Sequence, residues 1–220
     1  MTTYIDMINR IADDITNSAV TVTQIKNAIQ SSISDWENTP FFFNQKTTTF
    51  NTVSSQEYYA AADLADIPNI VSFYSMELTI NGFKRPVQPV DFNSIDDQQN
   101  GTILGPPFWY AYFAQQIRMY PIPDATYTVP LSYLTKFATL AADSDTNAWM
   151  TSGEEMIRQA AKRRIAVDIL YDDAMATRCN AMEDAASDTL MAETRQKQPN
   201  KTLRFPAMTS PRTFNIYQGF

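Results

Sequence analysis

The stretch Gln116-Ile-Arg-Met-Tyr120, Pro121-Ile-Pro-Asp-Ala125, Thr126-Tyr-Thr-Val-Pro-Leu-Ser-Tyr133 decides the fold. Tyr127, Val129, Leu131 and Tyr133 recur at the two-residue period of a half-buried strand, with Thr126, Thr128 and Ser132 on the other face. Pro121, Pro123 and Asp124 supply the fixed φ and the side-chain acceptor of a turn. The stretch therefore predicts two strands joined by a proline-punctuated turn. Pro130 removes a ladder donor, which predicts a strand at a sheet edge or one whose missing N–H faces outward.

Upstream, the strand texture reaches back to Phe41. Thr47-Thr-Thr-Phe-Asn-Thr-Val53 ends at the turn signal Ser54-Ser55, and Ile70-Val-Ser-Phe73 and Glu77-Leu-Thr-Ile80 precede Asn81-Gly82. Asn81-Gly82 between apolar neighbours is a strong hairpin signal, because both residues tolerate positive φ. Asp91 is a candidate cap for a short helix through Gln98. Residues 101–107 read as a loop, and Phe108-Trp-Tyr-Ala-Tyr-Phe113 as a strand that pairs with Gln116–Tyr120. Residues 41–136 form an expected antiparallel β insert.

Both flanks carry the helical period. Ile5, Ile8, Ile11, Ala12 and Ile15, behind Thr3 and Asp6 as a capping box, predict a helix over 3–17. Thr23 is a candidate cap for a second, with Ile25, Ala28, Ile29, Ile33 and Trp36 as its stripe and Pro40 as its stop, antiparallel to the first. After Asp143-Ser-Asp-Thr-Asn147, a capping box from Ser152 to Glu155 opens a third helix with Ile157, Ala160, Ala161, Ile165 and Ile169 on one face. Met175, Cys179, Met182, Ala186 and Leu190 mark a fourth, ended by Gln198-Pro199. The expected fold is α+β. A helical bundle from residues 1–40 and 137–197 carries the β insert, and residues 198–220 form an extended arm.

Composition narrows the chemistry. The chain has 220 residues, 44% hydrophobic and 19% charged, enough for a substantial core. There is no run of eighteen apolar residues and no signal-peptide pattern at Met1-Thr-Thr-Tyr-Ile-Asp6, so synthesis in a cytoplasm without membrane insertion is expected. Histidine is absent, which removes the commonest general base and metal ligand. Cys179 is the single cysteine, excluding an internal disulfide and a cysteine zinc cluster. With five glycines, neither phosphate-binding fingerprint can be written. No cofactor is expected.

Candidate sites carry plainer readings. Asp143, Asp145, Asn147 and Glu154 fall at calcium-loop spacing, but Ala148 stands where that loop turns on glycine, so an acidic linker serving a helix N-terminus is favoured. Asp172 and Asp173 are adjacent on a helix and point about 100° apart, unsuited to paired acid–base work. Glu154 and Glu155 suit a helix N-terminus. Cys179 sits on an apolar stripe, and Phe108, Trp109, Tyr110, Tyr112 and Phe113 are expected to fill a core on one side and touch a neighbour on the other.

Charge is unevenly divided. From Arg195 onward there are five basic residues and no acidic ones, so the net −7 separates into +5 for this end and −12 for the rest. Arg195, Lys201, Arg204 and Arg212 accompany Phe205, Phe214, Tyr217 and Phe220 in a segment too irregular to make a core of its own. These eight are the candidate partner-binding residues, able to add a strand to a partner's sheet edge while their cations meet acids there; an arm folded back on its own body and one that binds nucleic acid are the alternatives.

Gln24-Ile-Lys-Asn-Ala-Ile29 leading to Trp36-Glu-Asn-Thr-Pro-Phe41, Gln116-Ile-Arg-Met-Tyr-Pro-Ile-Pro123, Leu131-Ser-Tyr133 and Asp145-Thr-Asn-Ala-Trp149 together resemble the head-to-tail adaptor (connector) proteins of tailed bacteriophages. The likeness covers most of residues 4–195. It implies a non-enzymatic virion protein at the head–tail interface: a closed ring, usually of twelve copies, that docks on the portal protein and offers its other face to tail or nozzle proteins. DNA would pass through without specific binding, since an acidic lumen lacks the cations that hold phosphate. Two other readings stay open: a virion-associated cell-wall hydrolase acting through carboxylates such as Glu154 or Asp172, and an accessory DNA-binding protein of packaging.

Overall fold

The computed structural model describes residues 2–15, 19–98 and 103–197. The fold is α+β, with six α-helices and two sheets among these residues. Helix α1 (Tyr4–Ile15) opens on the expected box: the Thr3 amide and hydroxyl donate to Asp6 Oδ2 at 2.9 and 2.7 Å. Helix α2 (Val22–Trp36) is capped by Thr21, not Thr23. Gln24 at the third helical position completes the box by accepting from the Thr21 amide at 2.8 Å, whereas Thr23 already lies inside the helix.

The chain then enters the strands β1 (Gln45–Asn51), β2 (Tyr58–Tyr59), β3 (Ile70–Ile80), β4 (Phe83–Pro86) and β5 (Gln88–Pro89). The two apolar runs around Tyr74 form the single long strand β3. Asn81 (φ 49°) and Gly82 (φ 81°) make the anticipated hairpin turn between β3 and β4. Helix α3 (Phe92–Gln98) follows, and Asp91 accepts from the Asn93 amide at 3.0 Å. Strands β6 (Trp109–Phe113) and β7 (Gln116–Tyr120) pair as expected, and β8 (Thr128–Thr135) comes last.

Strands β7 and β8, consecutive in the chain, do not pair with each other. One sheet has the order β1-β8-β3-β4 and the other β2-β7-β6-β5, so β7 and β8 belong to different sheets. The Pro121–Ala125 connector is a corner, fastened to the turn at Ser54-Ser55. The Ser55 amide donates to Pro123 O at 2.8 Å, Ser54 Oγ to Asp124 O at 3.0 Å and Thr52 Oγ1 to Ala125 O at 2.9 Å. The stretches β1–β2 and β4–β5 also pass from one sheet to the other, joining the two sheets along both sides. The unit is not wholly antiparallel, since β5 pairs with β6 in parallel.

Strand β8 is interior rather than at an edge, lying between β1 and β3. The Thr52 amide donates to Tyr127 O, so alternation leaves Thr49↔Pro130 as a non-hydrogen-bonded pair and turns the missing N–H towards β3, where the pairing steps from Met76↔Leu131 to Thr79↔Thr128 without Pro130; the expectation of an edge or outward-facing position is not met.

The helical period returns at α4 (Ala148–Thr151), capped by Asn147, whose side chain accepts from the Trp149 and Met150 amides. This turn takes up Ser152 as its C-cap. Helix α5 (Glu154–Ile165) therefore starts from Gly153 without a side-chain cap, and the expected Ser152 box is not formed. A Cβ at Gly153 would stand 3.0 Å from the Trp149 ring, so glycine is what lets the two helices meet. A π-helical turn (Ala166–Leu170) and left-handed Tyr171 (φ 53°) lead into α6 (Asp173–Lys197).

Two main cores result. The first joins Tyr4, Ile8, Ile29, Ile157 and Leu190 from the helices with Phe41, Leu140 and Trp149. Trp149, 1% exposed, meets Phe41, Phe43 and Phe137 edge-on. The second lies between the sheets, with Tyr59, Leu78, Ile117, Leu131 and Tyr133 among its members. The chain crosses between them at adjacent points, where the Thr135 amide donates to Asn44 O at 3.0 Å.

Candidate assembly surfaces

Helix α6 is held largely by polar anchors. Its buried residues are Cys179, Glu183, Leu190 and Thr194; Met182, expected inside, is 46% exposed. Glu183 takes its place because two neighbours distant in sequence satisfy it. Arg163 Nε donates to Glu183 Oε2 at 2.7 Å and Trp36 Nε1 to Oε1 at 3.0 Å. That bond to Glu183 also raises the pKa of the Arg163 guanidinium. Thr194 Oγ1 accepts from the Phe42 amide at 3.1 Å, and the Lys197 ammonium stands 3.4 Å above the Phe42 ring. The point where the basic arm leaves the body is thereby fixed.

Arg195 lies exposed on the last turn of α6. The other candidate partner-binding residues, Lys201, Arg204, Phe205, Arg212, Phe214, Tyr217 and Phe220, lie outside the described residues. Beside the arm's origin, a groove of about 290 Å³ runs between α5 and α6. Met156, Ala186 and Leu190 give it apolar lining, and Glu155 and Glu193 line it with carboxylates. Elsewhere, two large apolar side chains stand out: Phe83, 75% exposed beside Lys84 and Arg85 at the hairpin tip, and Tyr171, 83% exposed between the π-turn and α6.

A sequence reading missed Arg118. Its side chain is 3% exposed, on the outer face of the second sheet. Nε donates to Glu57 at 2.5 Å, Nη1 to Asp96 at 2.6 Å, and the guanidinium lies 4.8 Å from the Phe92 ring. The arginine thus clamps α3 onto the sheet, where Ile95 packs with Ala111 and Tyr120. The signal was available: one cation inside the apolar run Gln116–Tyr120 must find an anionic partner if the strand is covered on both sides. Of the aromatic run, Tyr110 faces the inter-sheet core and Trp109 packs beside α3, while Phe108 and Phe113 are exposed.

The carboxylates with chemical spacing are dispersed into separate local roles. Asp143 pairs with Lys26 at 2.8 Å, and Asp145 accepts from the Ala141 and Ala142 amides, which hold its carboxyl below the ordinary range. Asn147 caps α4, and Glu154 bonds Arg10 and the Thr2 hydroxyl. No group of three or more potential metal-ligating side chains converges among the described residues. Asp172 accepts from the Met175 amide at 2.9 Å as a helix cap. Cys179 is buried, and desolvation pushes its thiol pKa up. The described surface is one of anchors and grooves.

The model of the SU10 adaptor protein family matches residues 2–205. The chain belongs to that family. It is a family of phage head-to-tail adaptors, which makes the chain a virion component whose partners are portal and tail proteins. No curated protein matches the sequence. The match takes in every described helix and strand of the adaptor and runs eight residues beyond α6, ending at Phe205. Among the adaptor's described residues, no helix is long and apolar enough to cross a membrane.

Proposed function

We propose that this adaptor assembles as a closed ring beneath the portal, joins it to the tail or nozzle proteins and helps retain the packaged DNA, with no enzymatic step. The observation that carries the reading is the family match over nearly the whole chain. The helical part, residues 1–40 and 137–197, supplies ring and portal contacts, and the β insert meets the tail or the adjacent subunit. A head-to-tail ring needs two different complementary patches on each copy. The basic, aromatic hairpin tip and the exposed end around Tyr171, with Asp168, Asp172 and Asp173, supply patches of opposite charge. The acidic balance of the body favours passage of DNA over its capture.

The arm residues Arg195, Lys201, Arg204, Phe205, Arg212, Phe214, Tyr217 and Phe220 bind the portal or a neighbouring subunit. Light scattering of the purified chain mixed with portal rings tests this. The full chain should add a stoichiometric mass that is lost when the chain is cut after Lys197. A full chain that neither binds portal nor forms rings at any concentration would overturn the reading.

A further inference from the structure

We propose that the tip of the β3–β4 hairpin of one copy seats against the turn around Tyr171 of the next, a head-to-tail contact that rests on the ring reading above. The tip is open. Strand β4 is the last of its sheet, all four of its residues are exposed, and Phe83 is 75% exposed. Lys84 faces Glu77 at 3.3 Å, while Arg85 holds no ion pair among the described residues. The turn after α5 is open in the same way. Val167 and Tyr171 are exposed there, with exposed Asp168, Asp172 and Asp173 around them. Arg164, the cation next to them in the chain, is taken by Asp35, and Asp172 keeps its charge while accepting from the Met175 amide. Tyr171 stands at φ 53°, a helix end where glycine is the less strained residue, and its ring is 83% exposed, so neither the backbone nor the core asks for a tyrosine.

Charge and shape select a second copy as the occupant. A basic tip with one protruding ring fits an acidic seat with another, and every copy carries one of each. Phe83 against Tyr171 and Val167 takes exposed apolar surface out of water, and Arg85 and Lys84 come beside Asp168 and Asp173. The single chain leaves both patches uncovered, and each stands far from the junction of its two parts. Thr194 and Lys197 hold the last turn of α6 to Phe42, so Asp173, at the other end of this 25-residue helix, is about 36 Å away. Ile70 pairs with Thr135 beside Asn44, so the tip, at the other end of the 11-residue β3, is about 33 Å away. Tip and seat are different surfaces, which makes the contact heterologous and repeatable around a ring.

Cysteines beside the two patches test the contact in the full-length chain seated on portal rings. Lys84→Cys with Ala174→Cys keeps Phe83, Arg85, Tyr171 and all three aspartates, and on oxidation should link copies into a ladder that runs beyond dimers. Lys84→Cys with Met182→Cys should link far less, and either Lys84→Cys or Ala174→Cys alone should give no ladder; buried Cys179 stays in place. Lys84→Glu with Arg85→Glu should weaken the contact at least about tenfold, read as copies lost from the ring on dilution, and adding Asp168→Lys and Asp173→Lys should restore it to within about threefold. Tyr171→Gly should weaken assembly while the denaturant midpoint of the free chain stays or rises, which separates the contact from folding. A complete ring without the ladder, or with links that stop at dimers, would overturn the contact and leave the ring reading standing. A charge reversal that keeps the ring but loses tail attachment would give the tip to the tail and overturn it as well. If the unaltered chain forms no ring, both fall together.

Discussion

Replacing Glu183 by leucine should cost about 3 kcal/mol, and the figure follows from its two partners, Arg163 and Trp36. The carboxylate is 6% exposed and accepts from Arg163 at 2.7 Å and Trp36 at 3.0 Å. Breaking a buried ion pair costs roughly 3–5 kcal/mol when the abandoned charge stays dry. Arg163 is 30% exposed and regains water, which places its share well below that range. The Trp36 indole loses its acceptor, adding about 1–2 kcal/mol. In a chain of this size about 3 kcal/mol lowers Tm by roughly 6–12 °C. Urea unfolding of the unaltered chain, Glu183→Leu, Arg163→Met and the double variant would measure it. The double variant should recover about half the loss, since an apolar pair replaces the ionic one while Trp36 stays without its acceptor. A single loss below about 1 kcal/mol, or strictly additive losses, would refute the account of α6 as a helix seated on a buried charge.

Arg118→Lys should destabilise by about 1–2 kcal/mol and speed amide exchange in α3, because one ammonium cannot reproduce the two-armed contact with Glu57 and Asp96; unchanged exchange in α3 would argue against the clamp. Gly82→Val should cost about 1 kcal/mol or more at φ 81°, read from the denaturant midpoint, and an unaltered midpoint would mean the turn is not held in this form. Stability should be flat from about pH 5 to pH 10. On the acid side Asp6 and Asp145 sit below the ordinary carboxylate range, Asp6 through the Thr3 amide and Asp145 through the Ala141 and Ala142 amides, so the stability they add is present above about pH 4 and lost as pH falls through their folded pKa values. On the alkaline side burial raises Tyr59, Tyr110 and Tyr133, so their contribution is present below about pH 10 and lost above it; phenolate absorbance rising well before unfolding would contradict this.

Periodicity located most elements but not their partners. The strand pattern of Tyr127–Tyr133 was plain, yet alternation records which face is buried and not which strand lies alongside, so β7 and β8 looked like a pair and are separated by a corner. Caps failed where two candidates competed. Thr21 won over Thr23 because Gln24 stands three residues after it, and Asn147 started a short helix that used up Ser152. Hydropathy chose Met182 over Glu183 because the partners of the glutamate are 20 and 147 positions away. Arg118 was obscured for the same reason. The dispersal of Asp143, Asp145, Asn147 and Glu154 needed coordinates as well, since their spacing alone permits convergence.

The paired crossing between the two cores sets how tension is shared. Gln45 stands opposite Leu134, so β1 enters and β8 leaves the sheet unit at the same end, side by side. A pull between helices and sheets is delivered along both strands at once and in one direction. It does not peel β1 from β8 rung by rung. It must slide the two together past β3, whose pairing with β8 runs from Ile70↔Thr135 to Thr79↔Thr128, loading many hydrogen bonds in parallel across their length. The tether is arranged as a lap joint.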